Sequence, residues 1–339
     1  MATGEFDFEL QRMKYYTTVF DLSFSPCGAY LAAVDNFGRI SVFSLRCALA
    51  QSATSRSRTP MGKIKVCESS LYSLLTVKNF LLCGGSNGIT AWKWSDVIGR
   101  AKEGQSECQW SAELVAKNGG PAPEVNSMFY FESSSDVCVG CGDGTIRIYD
   151  LDAGLEKGLL IGHKDMVLSV TGNGSMHQLI SGSEDGTVRL WDLRTNSETG
   201  SVRPAEQTSL TQPSMGPWIS CVATGEDGRW MACGGGPMAS LWYLRSLSLA
   251  APLEVIGSTT HHVQFYEDQV MSAGSGGCIH HWSLNGTSKS HIPSSVGTVY
   301  SVAINSKSVK ANVLAAAGSS PNIDIYTNIN YRAFSLTVE

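Results

Sequence analysis

Short apolar segments recur along the whole chain, and they come in groups of three separated by turn-forming residues. The first group is Val19–Leu45, with FDLSFS, AYLAAV and RISVFSL as strands, and Ser25–Gly28 and Asp35–Gly38 as turns. Comparable groups follow at Leu71–Trp94, Glu124–Leu151, Gly162–Arg194, Trp218–Leu244, His261–Leu284 and Gly297–Thr327. Each runs apolar strand, turn, apolar strand ending in small residues, Gly-rich turn, and a strand ending aromatic-x-Leu or a near relative of it. Alternation over so few residues, bounded by Gly, Asn, Asp and Pro, predicts strands rather than helices. One such unit cannot bury both faces of its sheet, so the units must cover one another. The pattern therefore predicts an all-β chain built from seven radially packed sheets.

The fourth unit is the most regular. Gly162-His163 opens it and Trp191-Asp192 closes it, with Val167–Thr171, Gln178–Ser181 and Val188–Asp192 as strands and Asp185-Gly186 as a tight-turn signal. This spacing resembles one WD40 repeat, and the resemblance implies a seven-bladed WD40 β-propeller. It also implies a hydrogen-bonded tetrad of His163, Ser181, Asp185 and Trp191. Asp185 would hold the imidazole, the imidazole would reach Ser181, and the hydroxyl would accept the indole N–H, which needs a partner when buried. A Ser/His/Asp set invites a hydrolase reading, but Ser181 falls inside a strand rather than on a strained nucleophile elbow. The sixth unit offers His262, Ser272 and Trp282 with Gly276 near the place of the aspartate, and the third has Asp143 but Tyr149 for tryptophan. The remaining units are degenerate, so apolar packing between units must supply most of the stability.

Residues 1–17 precede the repeats and form an N-terminal extension to a single propeller over 18–339. Phe6, Leu10 and Met13 fall near helical spacing, which suggests a short docking helix, with an outer ring-closing strand as the competing reading. At the other end, Ala333–Val338 alternates Phe334, Leu336 and Val338 against Ser335 and Thr337, and is expected to form the outer edge of the seventh sheet.

Hydrophobic content of 42%, charged content of 16% and 35 glycines suit many short strands and tight turns, and argue against coiled coil and disorder. A net charge of −5 excludes electrostatic nucleic-acid binding by the fold as a whole. MATGEFDFEL has neither a basic flank nor an apolar stretch, so no secretory signal is expected, and no apolar run approaches the ~18–20 residues of a membrane span. The ten cysteines are scattered, several inside strands, and read as small buried hydrophobes in a reducing compartment. Cys138-x-x-Cys141 has no second pair to complete a structural zinc site. Gly234–Gly236 lacks the Lys-Ser/Thr and following helix of a phosphate loop. His261-His262 and His280-His281 lie in one unit, and alternation turns one of each pair inward, as packing rather than as metal ligands. No cofactor, metal or catalytic residue is expected.

Three connections are long. Arg46–Lys65 carries Arg46, Arg56, Arg58, Lys63 and Lys65 without an acid, and reads as a mobile, solvated excursion able to contact nucleic acid or an acidic partner. Ser95–Pro123 is expected to begin as a short helix (DVIGRAKE), continue into an outer strand near Gln109–Val115 and end in a Gly/Pro loop. Thr195–Pro217, polar and with three prolines, is expected to bulge from the rim.

Nearly the whole chain resembles the THO complex subunit 6 family, from FSPCGAYLAAVDNFGRISVFSL through GHKDMVLSV and SGSEDGTVRLWDLRT. The more specific parts are WISCVATGEDGRWMACGGGPMASLWYLRS and the ending IYTNINYRAFSLTV. The resemblance implies a non-catalytic nuclear scaffold beside the coiled-coil THO subunits 5 and 7, reaching mRNA through the complex and linking transcription and processing to export. A second resemblance competes: LISGSEDGTVRLWDLR is similar to the DWD box of substrate receptors of cullin-4 ubiquitin ligases, with Trp191, Asp192 and Arg194 as the docking residues.

Overall fold

In β2 (Tyr30–Asp35) and β3 (Arg39–Ser44) almost every side chain is buried, whichever face it points to. Middle strands of a sheet covered on both sides read this way. The first strand, β1 (Val19–Phe24), buries only every third residue, and the fourth, β4 (Gly62–Lys65), only Ile64. The structure, a computed structural model, describes residues 11–86, 88–100, 108–116, 120–173, 177–305, 307, 312–329 and 331–339. Their strands, numbered in chain order, pair consecutively into seven four-stranded antiparallel sheets. This is a seven-bladed β-propeller.

By packing, the chain divides into two compact units, residues 1–111 with 294–339, and residues 112–293. In the first unit, Val19, Leu31 and Phe43 of the first sheet pack on Val313, Ala315, Ile323 and Leu336 of the seventh. The opposite face of the first sheet, with Val34, Ile40 and Val42, packs on Leu71, Leu81 and Trp92 of the second. In the second unit, Trp191 packs with Phe131, Cys138 and Ile146 of the third sheet, and Trp242 with Ile180 and Leu190 of the fourth. Trp282 packs in turn with Leu241 and Leu253 of the fifth.

The expectation of three strands per unit missed the fourth in five sheets; those of the second and seventh were anticipated. The outer strands β12 (Glu156–Ile161), β16 (Ser197–Val202) and β24 (Ser288–Pro293) expose most of their length and so carry little apolar signal. This corrects two connections. Arg46–Lys65 is not a mobile excursion: it contains a helical turn (Leu45–Ala48), a 3-10 turn (Ser55–Arg58) and β4. Thr195–Pro217 begins with β16 and continues into two 3-10 turns. In Ser95–Pro123, a helix over Trp94–Arg100 and a strand over Trp110–Ala112 occupy the expected places. Residues 11–16 are helical; Phe6 and Leu10 lie outside the described residues. The final strand, β28 (Tyr331–Thr337), pairs with β27 (Ser320–Asn328) at the outer edge of the seventh sheet.

Small residues close the second strands because their backbone meets the entry of the same sheet. A Cβ on Gly274 would lie 1.8 Å from the Thr259 carbonyl oxygen, and one on Gly318 1.8 Å from that of Thr298.

Each first strand carries a register shift near its start, and the residue after it is Asp21, Ser73, Ser127, Ser169, Cys221, His262 or Ser301. Several of these satisfy a backbone N–H of the next sheet: Ser127 accepts from Val170 (3.0 Å), Ser169 from Val222 (3.1 Å) and Ser301 from Leu22 (3.3 Å). In the first sheet a carboxylate does this work. Asp21 accepts from Leu74 N–H at 2.7 Å and from the Ser301 hydroxyl at 2.7 Å, tying together three sheets of the first unit. Burial between these strands pushes its carboxyl up to about 6, against the donors that lower it. The sign follows: with the folded value above the unfolded one, Asp21 contributes stability below about pH 4, and this is lost as pH rises through about 6. In Asp21→Asn, the amide oxygen can face Leu74 and the amide nitrogen can donate to Ser301, while the Leu22 N–H gives up Oδ1 and keeps Ser301 Oγ. The advantage of the variant over the parent should therefore grow between about pH 4 and pH 7, by roughly 1–2 kcal/mol; the full ~3 is discounted because Asp21 keeps part of its surface accessible. Denaturant unfolding at the two ends of that range measures it. A pH-independent difference overturns it.

Candidate functional site

Among the described residues, the fourth sheet holds the one constellation with the appearance of chemistry. His163 lies in the connection before β13 (Val167–Asn173), Ser181 lies in β14 (Gln178–Ser183), Asp185 in the turn that follows, and Trp191 in β15 (Val188–Asp192). That turn needs glycine at 186, where φ is +79°. The structure brings all four side chains together. Asp185 Oδ2 lies 3.0 Å from His163 Nδ1, and His163 Nε2 lies 2.7 Å from Ser181 Oγ. The Trp191 indole N–H donates to Ser181 Oγ at 2.8 Å. Since the indole can only donate, Ser181 turns its proton to His163 Nε2, and His163 donates from Nδ1 to the carboxylate; the tautomer follows from this network. Thr187 Oγ1 (2.6 Å) and the backbone N–H of Lys164 (3.0 Å) complete the shell around Asp185.

The electrostatics agree with a neutral imidazole on a charged carboxylate. Burial lowers the His163 pKa, and Asp185 offsets this only in part. Burial alone would raise the Asp185 pKa, but donors from Thr187, Lys164 and His163 hold it well below the usual carboxylate range. Ser181 is 0% exposed and Trp191 2%. The hydroxyl is sealed from any substrate and already shared between two partners.

Elsewhere the tryptophan keeps its hydroxyl and loses the rest. Trp282 donates to Ser272 at 2.9 Å. His262 does not complete a second tetrad: it sits after the register shift, with Nε2 3.4 Å from Gln264 Oε1 and its pKa pushed down to about 4 by burial. Ile256 occupies the place of His163, four residues before the strand. In the second and fifth sheets the hydroxyl comes from the tryptophan's own strand, Thr90 to Trp92 (3.0 Å) and Ser240 to Trp242 (2.9 Å). Sequence reasoning missed this substitute; its signal is a Ser or Thr two residues before the tryptophan. The first sheet has the hydroxyl, Ser41, but Phe43 in place of an indole. Ser41 Oγ is accordingly buried without a partner among the described residues. Ser41→Ala should leave stability unchanged or raise it by about 1 kcal/mol, whereas Ser181→Ala should cost ~1–3 kcal/mol. Comparison of denaturation midpoints checks both, and a loss in the first as large as in the second overturns the pairing rule.

Of the DWD-like residues, Trp191 is sealed inside, while Arg194 is 71% exposed and grips Asp192 at 2.6 Å, pushing that carboxyl down to about 2. The basic segment is dispersed rather than gathered. Arg46 lies on the helical turn, Arg56 and Arg58 on the 3-10 turn, and Lys63 and Lys65 on β4. Arg58 covers the Phe334 ring at 4.5 Å, Lys63 reaches Glu339 at 3.6 Å and Lys65 reaches Glu68 at 3.0 Å. Cys138 and Cys141 are both buried, and burial pushes Cys141 up to about 12, away from the thiolate a metal requires. Among the described residues no three His, Cys, Asp or Glu gather in a way that could hold a metal.

The model of the WD domain, G-beta repeat, matches residues 113–150 and 155–192. A Danio rerio protein named THO complex subunit 6 homolog is 37% identical over 322 residues, 95% of this chain and 98% of its own length. The Homo sapiens THO complex subunit 6 is 36% identical over 330 residues, 97% of this chain and 94% of its own. The Drosophila melanogaster THO complex subunit 6 is 29% identical over 321 residues, 93% of this chain. With a WD40 propeller on the page and relatives matched along almost its entire length, this chain belongs to the THO complex subunit 6 family.

Proposed function

We propose that this chain is a non-catalytic scaffold subunit of the nuclear THO/TREX assembly, supporting its construction and the coupling of transcription and processing to mRNA export. The observation that carries the reading is the match, along 95% of the chain, to a relative bearing the subunit's name. The sealed tetrad supports the non-catalytic part: its serine is 0% exposed and already accepts an indole N–H. The partners in this reading are the other THO subunits, above all the coiled-coil subunits 5 and 7, with mRNA reached through the complex and no cofactor or membrane involved. Direct RNA contact by the basic segment finds little support, since Arg58 and Lys63 are turned to Phe334 and Glu339. Residues 18–339 act in this reading as one propeller domain, which a single cooperative unfolding transition would support.

A second reading, a substrate receptor docking on a cullin-4 adaptor, is favoured by the exposed Arg194 paired with the half-buried Asp192 at the end of β15. One experiment separates the two. Affinity purification from nuclear extract should recover THO subunits at near-equal amounts. Recovery of the adaptor and cullin without THO subunits overturns the scaffold reading.

A further inference from the structure

A groove of about 720 Å³ lies between the fourth and fifth sheets, within the second unit. Its floor is aliphatic, from Leu190, Leu244 and Leu247, and its fifth-sheet wall presents Tyr243, Arg229 and Arg245. Tyr243 is 46% exposed yet held in place, its ring 4.4 Å from that of Trp230. Arg229 is 78% exposed and braced by Asp227 at 2.7 Å; Arg245 is exposed and makes no ion pair among the described residues. On a chain of net charge −5, Arg245 leaves this rim one uncompensated guanidinium, since Asp227 offsets the charge of Arg229.

We propose that this groove docks a short acidic–aliphatic segment of a partner protein. An aliphatic side chain would enter the floor, and neighbouring carboxylates would meet Arg245 and Arg229. The volume suits one or two side chains with their backbone. A rigid aromatic beside arginines over an aliphatic floor is the composition that concentrates binding energy, and guanidinium forks favour carboxylates geometrically as well as by charge. An aliphatic floor gives nothing to a nucleic-acid backbone, and the arginines oppose a basic segment. The groove also continues toward the exposed end of the fourth sheet: Gln178 on its other wall is the strand partner of Asp192, which holds Arg194. Identification of the segment's owner as another subunit of the assembly rests on the function proposed above; the chemistry of the segment does not.

The test replaces Tyr243 in the full chain with the photo-crosslinker p-benzoylphenylalanine, irradiates it in nuclear extract and sequences the attached segment. The expected product is a stretch of an identified THO subunit with Asp or Glu beside Leu, Ile, Met or Phe. Arg245→Glu combined with Leu247→Glu should lower retention of that subunit at least tenfold, while Arg203→Glu, away from the groove, leaves it unchanged. Melting temperatures matching the parent exclude misfolding as the cause. Attachment to RNA, to a basic segment or to a second copy of this chain overturns the proposal, as does no attachment or undiminished retention in the double variant. An acidic–aliphatic segment from a protein outside THO supports the groove and counts against the assembly reading. Co-purification of THO subunits without any crosslink does the reverse.

Discussion

Removal of residues 331–339 is expected to give an insoluble protein, or one destabilised by more than about 5 kcal/mol, which is within the whole stability of many domains. The loss has several parts in one place. Leu336 and Val338 are 0% and 1% exposed, and burying each such side chain contributes ~1.5–3 kcal/mol. Without β28, the outer edge of β27 lies open. That strand carries Ile323, Ile325 and Tyr326, all fully buried in the intact protein, so the new edge is an apolar template for pairing with other chains. Asp324, 0% exposed, loses the hydroxyl of Ser335 (2.6 Å) and the guanidinium of Arg332 (3.6 Å), and among the described residues keeps its contacts with Ser294 and Ser295. Arg39, nearly buried on the first sheet, loses its 2.7 Å bond to Glu339 and keeps Asp35 at 2.8 Å. The last residue thus pins the chain's end to the first sheet, beyond what strand pairing provides. Removal of residues 1–12 takes away, among described contacts, Arg12 over the Phe37 ring at 5.4 Å, and should leave a folded protein. Soluble yield and melting temperature compare the two. A stable C-terminal truncation beside an unfolded N-terminal one would assign edge protection to the wrong terminus.

What could be read from the chain alone follows from where burial is two-sided. The second strand of every sheet is buried on both faces and the third on most of its length, so they announce themselves; YLAAVD and RISVFS are buried almost throughout. The outer strand SETGSV has one exposed face and a half-open edge, so its sequence is that of a loop and only pairing defines it. The same reason hid β4 inside a segment that seemed notable for its charge. Within the site, the His163 tetrad was legible because four residue types stand in a fixed order. The substitute hydroxyls Thr90 and Ser240 were not, since Ser and Thr are common in strands and the pairing shows only in three dimensions. His262 illustrates the opposite error: the right residue near the right place, displaced by a register shift onto another role. The groove between the fourth and fifth sheets brings together residues from β14 to the turn after β19 (Ala239–Tyr243), and no spacing rule could have gathered them.

Trp191→Ala should destabilise the protein by roughly 3–5 kcal/mol, the usual range for emptying a large aromatic site that cannot collapse. Collapse is unavailable because the indole is wedged among Phe131, Ile146, Val167 and Leu179, with the position of a Cβ on Gly162 only 2.8 Å from its ring edge. Ser181 Oγ would also lose its donor in a site without water access. Asp185→Ala should be milder, on the order of 1–3 kcal/mol, since it strands the His163 and Lys164 N–H groups but leaves the packing intact. The two differ in how they respond to pH. Asp185 is depressed in the folded protein, so its contribution is full above the unfolded value near 4 and is lost as pH falls through the lower folded value. The gap between parent and Asp185→Ala should therefore narrow below about pH 4, while the gap for Trp191→Ala, a packing loss, should not follow that titration. His163, also depressed, makes the parent itself less stable below about pH 6.5, because the unfolded chain then takes up a proton the buried ring refuses. Melting temperatures for both variants equal to the parent's would reduce the tetrad to a coincidence of geometry. A Trp282→Ala loss as large as that of Trp191→Ala would show that packing and one hydroxyl suffice, and that His163 and Asp185 add nothing to the fourth sheet.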